Sequence, residues 1–220
     1  GVDVFVCGED FSSQIFFPSG GGQCVAFHSV VCREPEPFEL ALAGVHQAEN
    51  AALVIMAAKL LEREDVRVTE KAIRTALRTV RHPARFEILA NEGVPVVIDG
   101  AHNPAGMRAL RTGLDTYFPD LPRVFLLGIL KDKDIDTMLA ALLRPGDQVV
   151  TVRPNSERAA AADVVAAVAA GMGLVTVACD DRAKGLDEAV RRAHVRSALL
   201  VVAGSLYLVG DIRRLLMAGR

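Results

Sequence analysis

The sequence lacks any apolar run of the roughly 18 to 20 residues that a membrane-spanning helix requires. It also opens on the strand-like segment "VDVFV" rather than on the charged and apolar regions of a signal peptide. We therefore expect a cytoplasmic protein without a membrane partner.

A strong charge of one sign is absent as well. Lysine and arginine together number 25, and aspartate and glutamate 27, which gives a formal net charge of -2. Because there is no basic field, the composition gives no support for nucleic acid as a partner. Any anionic ligand would have to be held by a few local groups.

Cysteine is scarce, and the four cysteines stand apart with no C-x-x-C pair. Free thiols in a reducing compartment are expected rather than a disulfide framework. Several catalytic motifs are missing too: there is no P-loop (G-x-x-x-x-G-K-[ST]), no G-x-G-x-x-G after a strand, no G-x-S-x-G and no H-E-x-x-H. The 51% hydrophobic and 24% charged residues still form an ordinary globular composition, enough for one large domain or two smaller ones.

The first third of the chain combines strand-like and helical patterns. Short runs rich in Val and Phe predict strands of a small antiparallel sheet at 2–7, 13–17 and 24–32, with a turn over 18–23.

Two helices are predicted after these strands, over 46–64 and 69–80, the second with Thr69 as its N-cap. The buried stripe of the first is expected to be Ala51, Val54, Ile55, Ala58 and Leu61. Pro83 disfavours helix at the preceding residue, so we place a domain boundary within 81–84.

The remainder alternates strands and helices. A hairpin over 85–99 is followed by strands at 123–129, 148–152, 174–178 and 198–203, and by helices at 104–117, 134–143, 159–170, 182–194 and 206–217. Continuous apolar strands between amphipathic helices predict a doubly wound, mostly parallel α/β sheet with one antiparallel strand and helices on both faces.

Ligands of such sheets bind at the carboxyl ends of the strands. The polar loops there are 99–103, 131–134, 153–158 and 204–205. Each has a functional and a structural interpretation. Asp99 and Asn103 could bind a ligand or only cap a helix and fix the loop. The lysines and aspartates of 131–134 could bind an anion or form a solvated loop with Asp134 as N-cap.

The other polar residues are equally open. Arg153 and Arg158 could hold an anion or form surface salt bridges, and Ser205 could face an anion at a helix start or act as an N-cap. His46 and Asn50 share a helix face, but Asn is a poor transition-metal ligand and no third ligand is spaced nearby, so we predict no metal site on them.

Taken together, five segments resemble the C-terminal half of bacterial folylpolyglutamate synthases/dihydrofolate synthases, which belong to the Mur ligase family. The segments are "LAGVHQAENAALVIMAAKLL", "RHPARFEI", "VPVVIDGAHNPAGMRAL", "LGILKDKD" and "VVAGSLYLVGDIRR". The resemblance implies that residues 1–81 are the end of a central ATPase domain, with its small antiparallel sheet and two helices. Residues 82–220 would be the Rossmann-like C-terminal domain.

The resemblance also implies the chemistry. The family joins L-glutamate to folate or dihydropteroate with ATP and Mg²⁺, through an acyl phosphate. Its P-loop and metal ligands would lie upstream of these 220 residues, so we expect this chain to be inactive alone. We also expect the protein to be monomeric.

Five residues match positions with roles in the family. Asn50, Arg85 and Asp99 would bind the nucleotide, His102 would be catalytic and Ser205 would hold glutamate. One departure is Ala84, where the family often has glycine, which puts the geometry of that turn in doubt. Two alternatives stay open: a Mur ligase that acts on a cell-wall precursor, and a nucleotide-binding or interaction module without catalysis.

Overall fold

The computed structural model describes residues 3–19, 22–32, 34–63 and 68–218. By its internal contacts the chain divides into two compact units, Gly1–His82 and Pro83–Arg220. Within the described residues, no helix is long and apolar enough to cross a membrane.

The first unit holds a three-stranded antiparallel sheet and two helices. Its strands are β1 (Phe11–Ser19), β2 (Gly22–Ser29) and β3 (Glu36–Leu40), paired in the order β1-β2-β3, and its helices are α1 (Val45–Arg63) and α2 (Glu70–Thr79). Phe27, Phe38 and Ile55 are buried between the sheet and the helices. The predicted N-cap is confirmed, since the Ala72 N–H donates to Thr69 Oγ1 (3.2 Å).

Two strand predictions for this unit were wrong. Residues 3–6 are not a strand and Cys7 makes only an isolated bridge, because the chain turns at Gly8 (φ 94°) and the Val6 N–H donates to the Asp10 carboxylate (2.7 Å). Strand β3 was missed, because Pro37 lies inside it. Proline is tolerated there because β3 pairs only with β2.

The predicted buried stripe of α1 was only partly correct. Ala51, Ile55 and Ala58 are buried, whereas Val54 and Leu61 are 56% and 46% exposed. Since α1 carries apolar residues on almost every side, its sequence did not determine which side packs against the sheet.

The second unit is the predicted α/β domain. Its strands are β4 (Glu87–Asn91), β5 (Val94–Ile98), β6 (Arg123–Leu127), β7 (Gln148–Val152), β8 (Val175–Cys179) and β9 (Leu199–Ala203). Its helices are α3 (Pro104–Tyr117), α4 (Ile135–Leu142), α5 (Ala162–Gly171), α6 (Arg182–Arg196) and α7 (Leu206–Ala218). The order is β4-β5-β9-β6-β7-β8, with β4 antiparallel to β5 and all other pairs parallel.

Both faces of this sheet are covered. Val96, Leu126 and Leu200 belong to one apolar cluster with residues of α6 and α7, while their neighbours along the strands, such as Val97 and Val201, are equally buried. Successive side chains of a strand point to opposite faces, so helices must cover both. Several boundaries differ from the prediction by one to three residues. The largest difference is at α5, which begins at Ala162 because Ala159 and Ala160 pair with the segment after β6 (Ala160 N–H to Ile129 O, 2.9 Å).

Candidate functional site

The carboxyl edge of the six-stranded sheet brings together loops that are distant in sequence. The loop after β5 adjoins the loop after β9 because these strands pair in parallel, and the Gly204 N–H donates to Ala101 O (3.0 Å). On the other side of β9, the Gly128 N–H donates to Ala203 O (3.3 Å). The loops at 99–103 and 204–205 therefore form one continuous surface.

Gly204 permits this close approach. Its φ is +111°, and a Cβ atom there would lie 2.7 Å from the carbonyl oxygen of Gly128 on the neighbouring chain segment. A side chain would therefore be strained and would also clash with backbone. The glycine lets the chain leave β9 and start α7 immediately after Ser205.

Arg85 reaches the same edge by a different route. Strand β4 is antiparallel to β5, and Glu87 pairs with Ile98, so the start of β4 lies beside the end of β5. The guanidinium of Arg85 is exposed and makes no hydrogen bond or ion pair with another described residue. The turn that carries this positive charge lies at the edge where the polar loops meet.

The turn that carries Arg85 has an unusual backbone. Ala84 and Phe86, on either side of it, have φ values of 61° and 45°, in the left-handed region that favours glycine. Each such residue costs roughly 1–2 kcal/mol relative to an ordinary conformation. Ala84 therefore occupies a position that glycine would fill without strain.

Several contacts hold this turn in place. The Gly100 N–H donates to Ala84 O (2.8 Å), and the Phe86 N–H donates to Asp99 Oδ2 (2.8 Å). The Phe86 ring is buried against Tyr117 (centroids 5.3 Å apart) and against Gly113, where a Cβ atom would approach it to 2.6 Å. The strained conformation is therefore fixed by its surroundings.

An ion pair that we did not predict adds a further restraint. The Ala84 N–H donates to Glu87 Oε2 (3.0 Å), and Arg213 of α7 binds the same carboxylate through Nε (2.8 Å) and Nη2 (2.9 Å). Glu87 and Arg213 are 126 positions apart, and no motif or spacing indicates that they meet.

Asp99 connects the Arg85 turn to the loop after β5. Its carboxylate is 6% exposed; Oδ1 accepts from the Ala101 N–H (2.8 Å), and Oδ2 accepts from the Phe86 N–H. The structural interpretation of Asp99, that it fixes the loop, therefore describes its observed contacts. The carboxylate also aligns the Arg85 turn with residues 100–103.

The position of His102 determines which of its ring nitrogens is available. Nδ1 lies 2.8 Å from the carbonyl oxygen of Gly100, and the ring is half-buried. A carbonyl can only accept a hydrogen bond, so Nδ1 must carry a proton. In the neutral imidazole the lone pair is then on Nε2, which can accept a proton from a ligand.

The residues on either side of these loops act mainly as caps and surface pairs. Asn103 caps α3 (Gly106 N–H to Oδ1, 2.7 Å), and Asp134 caps α4 (Thr137 N–H to Oδ1, 3.1 Å). Arg158 forms a surface ion pair with Asp132 (2.5 Å), and its hydrogen bond lowers the pKa of that carboxyl. Arg153 is exposed at the same edge.

Ser205 is 1% exposed and caps α7, since its Oγ accepts from the Leu208 N–H (3.2 Å). Its own O–H remains a donor. The N–H groups of Leu206 and Tyr207 precede the first bonds within the helix, as at any helix start. This end of α7 therefore carries partial positive charge.

Asn50 lies in the first unit, on the exposed side of α1. Its Nδ2 donates to Gln47 Oε1 (3.4 Å), and Gln47 Nε2 is 3.0 Å from His46 Nε2. Among the residues that the structure describes, no group of three or more His, Cys, Asp or Glu side chains is arranged to hold a metal ion.

Residues 84–206 match the protein family described as "Mur ligase, glutamate ligase domain". Among curated relatives, a probable bifunctional folylpolyglutamate synthase/dihydropteroate synthase of Halobacterium salinarum is 39% identical over 80% of this chain and 21% of its own length. The dihydrofolate synthase/folylpolyglutamate synthase of Bacillus subtilis is 30% identical over 81% of this chain and 41% of its own length.

Solved structures give the same picture. Folylpolyglutamate synthase of Mycobacterium tuberculosis, crystallised with ADP and AMPPCP, superposes with a TM-score of 0.81 at 28% identity, over 97% of this chain and 49% of that protein. The Thermotoga maritima enzyme gives 0.77 at 28% identity, over 98% and 48%. The chain thus spans less than half the length of each of these relatives. With the family match covering more than half of its residues, the chain belongs to the Mur ligase family and carries its glutamate ligase domain.

Proposed function

We propose that this chain works as part of an ATP-dependent ligase that joins L-glutamate to folate or dihydropteroate. The observation that carries the proposal is the convergence at one sheet edge of the turn that carries Arg85, the loop that carries His102 and the start of α7. All three lie within the segment that matches the glutamate ligase domain. The named activities of the relatives support the folate substrate class.

The reaction explains why cationic groups should gather there. Transfer of the γ-phosphoryl group of ATP to a carboxylate gives an acyl phosphate, and attack by the glutamate amine then releases phosphate and forms the amide. Each step brings anionic groups together, so positioning and charge neutralisation supply most of the catalysis.

Arg85 is the residue that we assign to the nucleotide phosphates. A guanidinium presents planar donors that match phosphate oxygens, and here it is held on a fixed turn. We assign Asp99 to nucleotide binding as well, mainly because its carboxylate aligns this turn through the Phe86 N–H.

His102 is the proposed catalytic residue. Its Nδ1–H is engaged by Gly100 O, so Nε2 can accept the proton that the glutamate amine loses as it attacks the acyl carbon. The imidazolium formed in this way places positive charge beside the departing phosphate. One group would thus serve both the proton transfer and the developing negative charge.

Two further residues complete the assignment. The start of α7 with Ser205 would receive a carboxylate of glutamate, and Asn50 would contact the adenine through an amide that both donates and accepts. The described residues offer no set of metal ligands, so we assign no step to Mg²⁺ through this chain.

The 220 residues contain no P-loop, so we expect them to have no ligase activity alone. Glutamate-dependent ADP release by the purified 220-residue chain would refute this expectation.

The main test is steady-state kinetics on the complete ligase that contains this chain. Arg85→Ala and His102→Ala should each reduce kcat about 100-fold, the usual effect of removing one group that stabilises transition-state charge. Arg191→Ala, which removes an exposed arginine of α6, is the matched control and should leave turnover unchanged. Near-normal glutamate-dependent ADP release in both site variants would show that the proposed site is wrong.

A further inference from the structure

Three hydrogen bonds hold the backbone of the Ala84–Phe86 turn, and two of them are accepted by carboxylate side chains. Gly100 binds Ala84 O and Asp99 binds the Phe86 N–H, both from the loop after β5. The third hydrogen bond, from the Ala84 N–H, is accepted by the Glu87 carboxylate. Glu87 follows the turn directly but is itself held by Arg213, from the third turn of α7.

The Glu87–Arg213 pair is bidentate, so it restrains both side chains. Both Nε and Nη2 of the guanidinium reach the carboxylate, at 2.8 and 2.9 Å, and the Glu87 side chain is 18% exposed. The hydrogen bond to Glu87 also raises the pKa of Arg213. Bidentate pairs of this kind fix direction as well as distance.

We propose that the Glu87–Arg213 ion pair positions the Arg85 guanidinium for ligand binding at the carboxyl edge of the six-stranded sheet. This proposal rests on the proposed phosphate-binding role of Arg85. Ala84 has an ordinary conformation available at negative φ. Loss of the Glu87 carboxylate, which accepts from the Ala84 N–H, would favour a return to that conformation. The change in the turn would then alter the direction of the Arg85 side chain. Because Arg213 belongs to α7, the pair also links Arg85 to the helix that starts at Ser205.

The first experiment compares Glu87→Ala, Glu87→Gln and Arg213→Lys in the complete ligase. Glu87→Ala removes both the acceptor of the Ala84 N–H and the ion pair, so kcat/KM for ATP should fall roughly 10- to 100-fold, as expected for a misplaced catalytic group. Glu87→Gln keeps an acceptor and Arg213→Lys keeps a charge, so both should lose less. Arg214→Gln is the control, because this neighbour on α7 makes a surface pair with Asp211.

The second experiment separates positioning from general stability. If Glu87 acts through Arg85, then Glu87→Ala should change kcat/KM by less than about twofold in an Arg85→Ala background. A full 10-fold loss in that background, or no loss in the Arg85-containing enzyme, would overturn the positioning role. A different result would contradict the proposed function itself, namely normal turnover in the Arg85→Ala enzyme. Assays run well below the unfolding temperature of every variant exclude loss of folded protein as the cause.

Discussion

Gly204→Ala tests whether the carboxyl edge of the six-stranded sheet requires a glycine where the ends of β6 and β9 approach each other. Two separate costs arise at this position. An L-residue at a φ of +111° is strained, by about 1–2 kcal/mol. In addition, the new Cβ would lie 2.7 Å from Gly128 O and 3.1 Å from Gly128 N, atoms that cannot rotate away as a side chain could.

Relief of that clash requires β6 and β9 to separate at their ends. The Gly128 N–H to Ala203 O bond (3.3 Å) would be lengthened or lost, which costs on the order of 1–2 kcal/mol for a buried pair. Adding the strain gives a total destabilisation of roughly 2–4 kcal/mol.

Gly146→Ala provides the matched control. Gly146 belongs to the same unit and has a φ of +93°, but a Cβ atom there would meet nothing within 4 Å. It should therefore show the strain alone, about 1–2 kcal/mol. The difference between the two variants isolates the cost of the close approach between β6 and β9.

The assay is urea unfolding of the 220-residue chain followed by far-UV circular dichroism, since the sequence has no tryptophan. With an m-value of about 2 kcal/mol/M, Gly204→Ala should unfold at a midpoint roughly 0.5–1 M lower than Gly146→Ala. Equal midpoints for the two variants would refute the clash and leave only the backbone strain.

Three further predictions follow from other contacts in the same structure. Two arginine hydrogen bonds lower the pKa of Glu188 from 4.5 to about 2, so its stabilisation is present above pH 4.5 and is lost as the pH falls towards 2. Glu188→Gln should cost about 1 kcal/mol at pH 7, after allowance for solvent screening, and less than half of that at pH 3 in urea titrations. Asp147→Ala removes the buried carboxylate that accepts from Arg111 Nη1 (3.0 Å) and from the Arg144 N–H (2.8 Å), while Arg111 keeps its pair with Asp115. It should cost about 2 kcal/mol by thermal unfolding, and a loss below about 1 kcal/mol would contradict this. Gly113→Ala should displace the Phe86 ring and lower ligase turnover, whereas Gly210→Ala, a helical glycine with open space around it, should leave turnover unchanged and raise stability by about 0.5–1 kcal/mol.

The sequence allowed the second unit to be predicted closely because its strands and helices differ in period and length. Continuous apolar strands such as 199–203 can only be buried on both faces, and the helices between them require parallel connections. Four polar loops at one sheet edge follow from that topology without any motif. The first unit was harder, because one of its strands contains Pro37 and because α1 carries apolar residues on almost every side.

The individual roles at the edge depended on the family resemblance, and the contacts that organise them could not be predicted. Positive φ values at Ala84 and Phe86 leave no trace in a sequence without glycine at those positions. The link between Glu87 and Arg213 joins residues that only tertiary packing brings together. Sequence patterns report periodicity and local turn chemistry, and neither extends over 126 residues.

Asp99 illustrates why the correct loop can be found before the correct role. As an aspartate at the end of a buried strand, it satisfies the pattern for a ribose ligand and for a loop-fixing residue equally well. What separates the two is the direction of its lone pairs, and here Oδ1 and Oδ2 each accept a backbone N–H, from Ala101 and Phe86. A carboxylate committed to two amides holds its own loop and the strained Arg85 turn in one arrangement. The edge therefore depends on Asp99 for its geometry even where a ligand touches only Arg85 and His102.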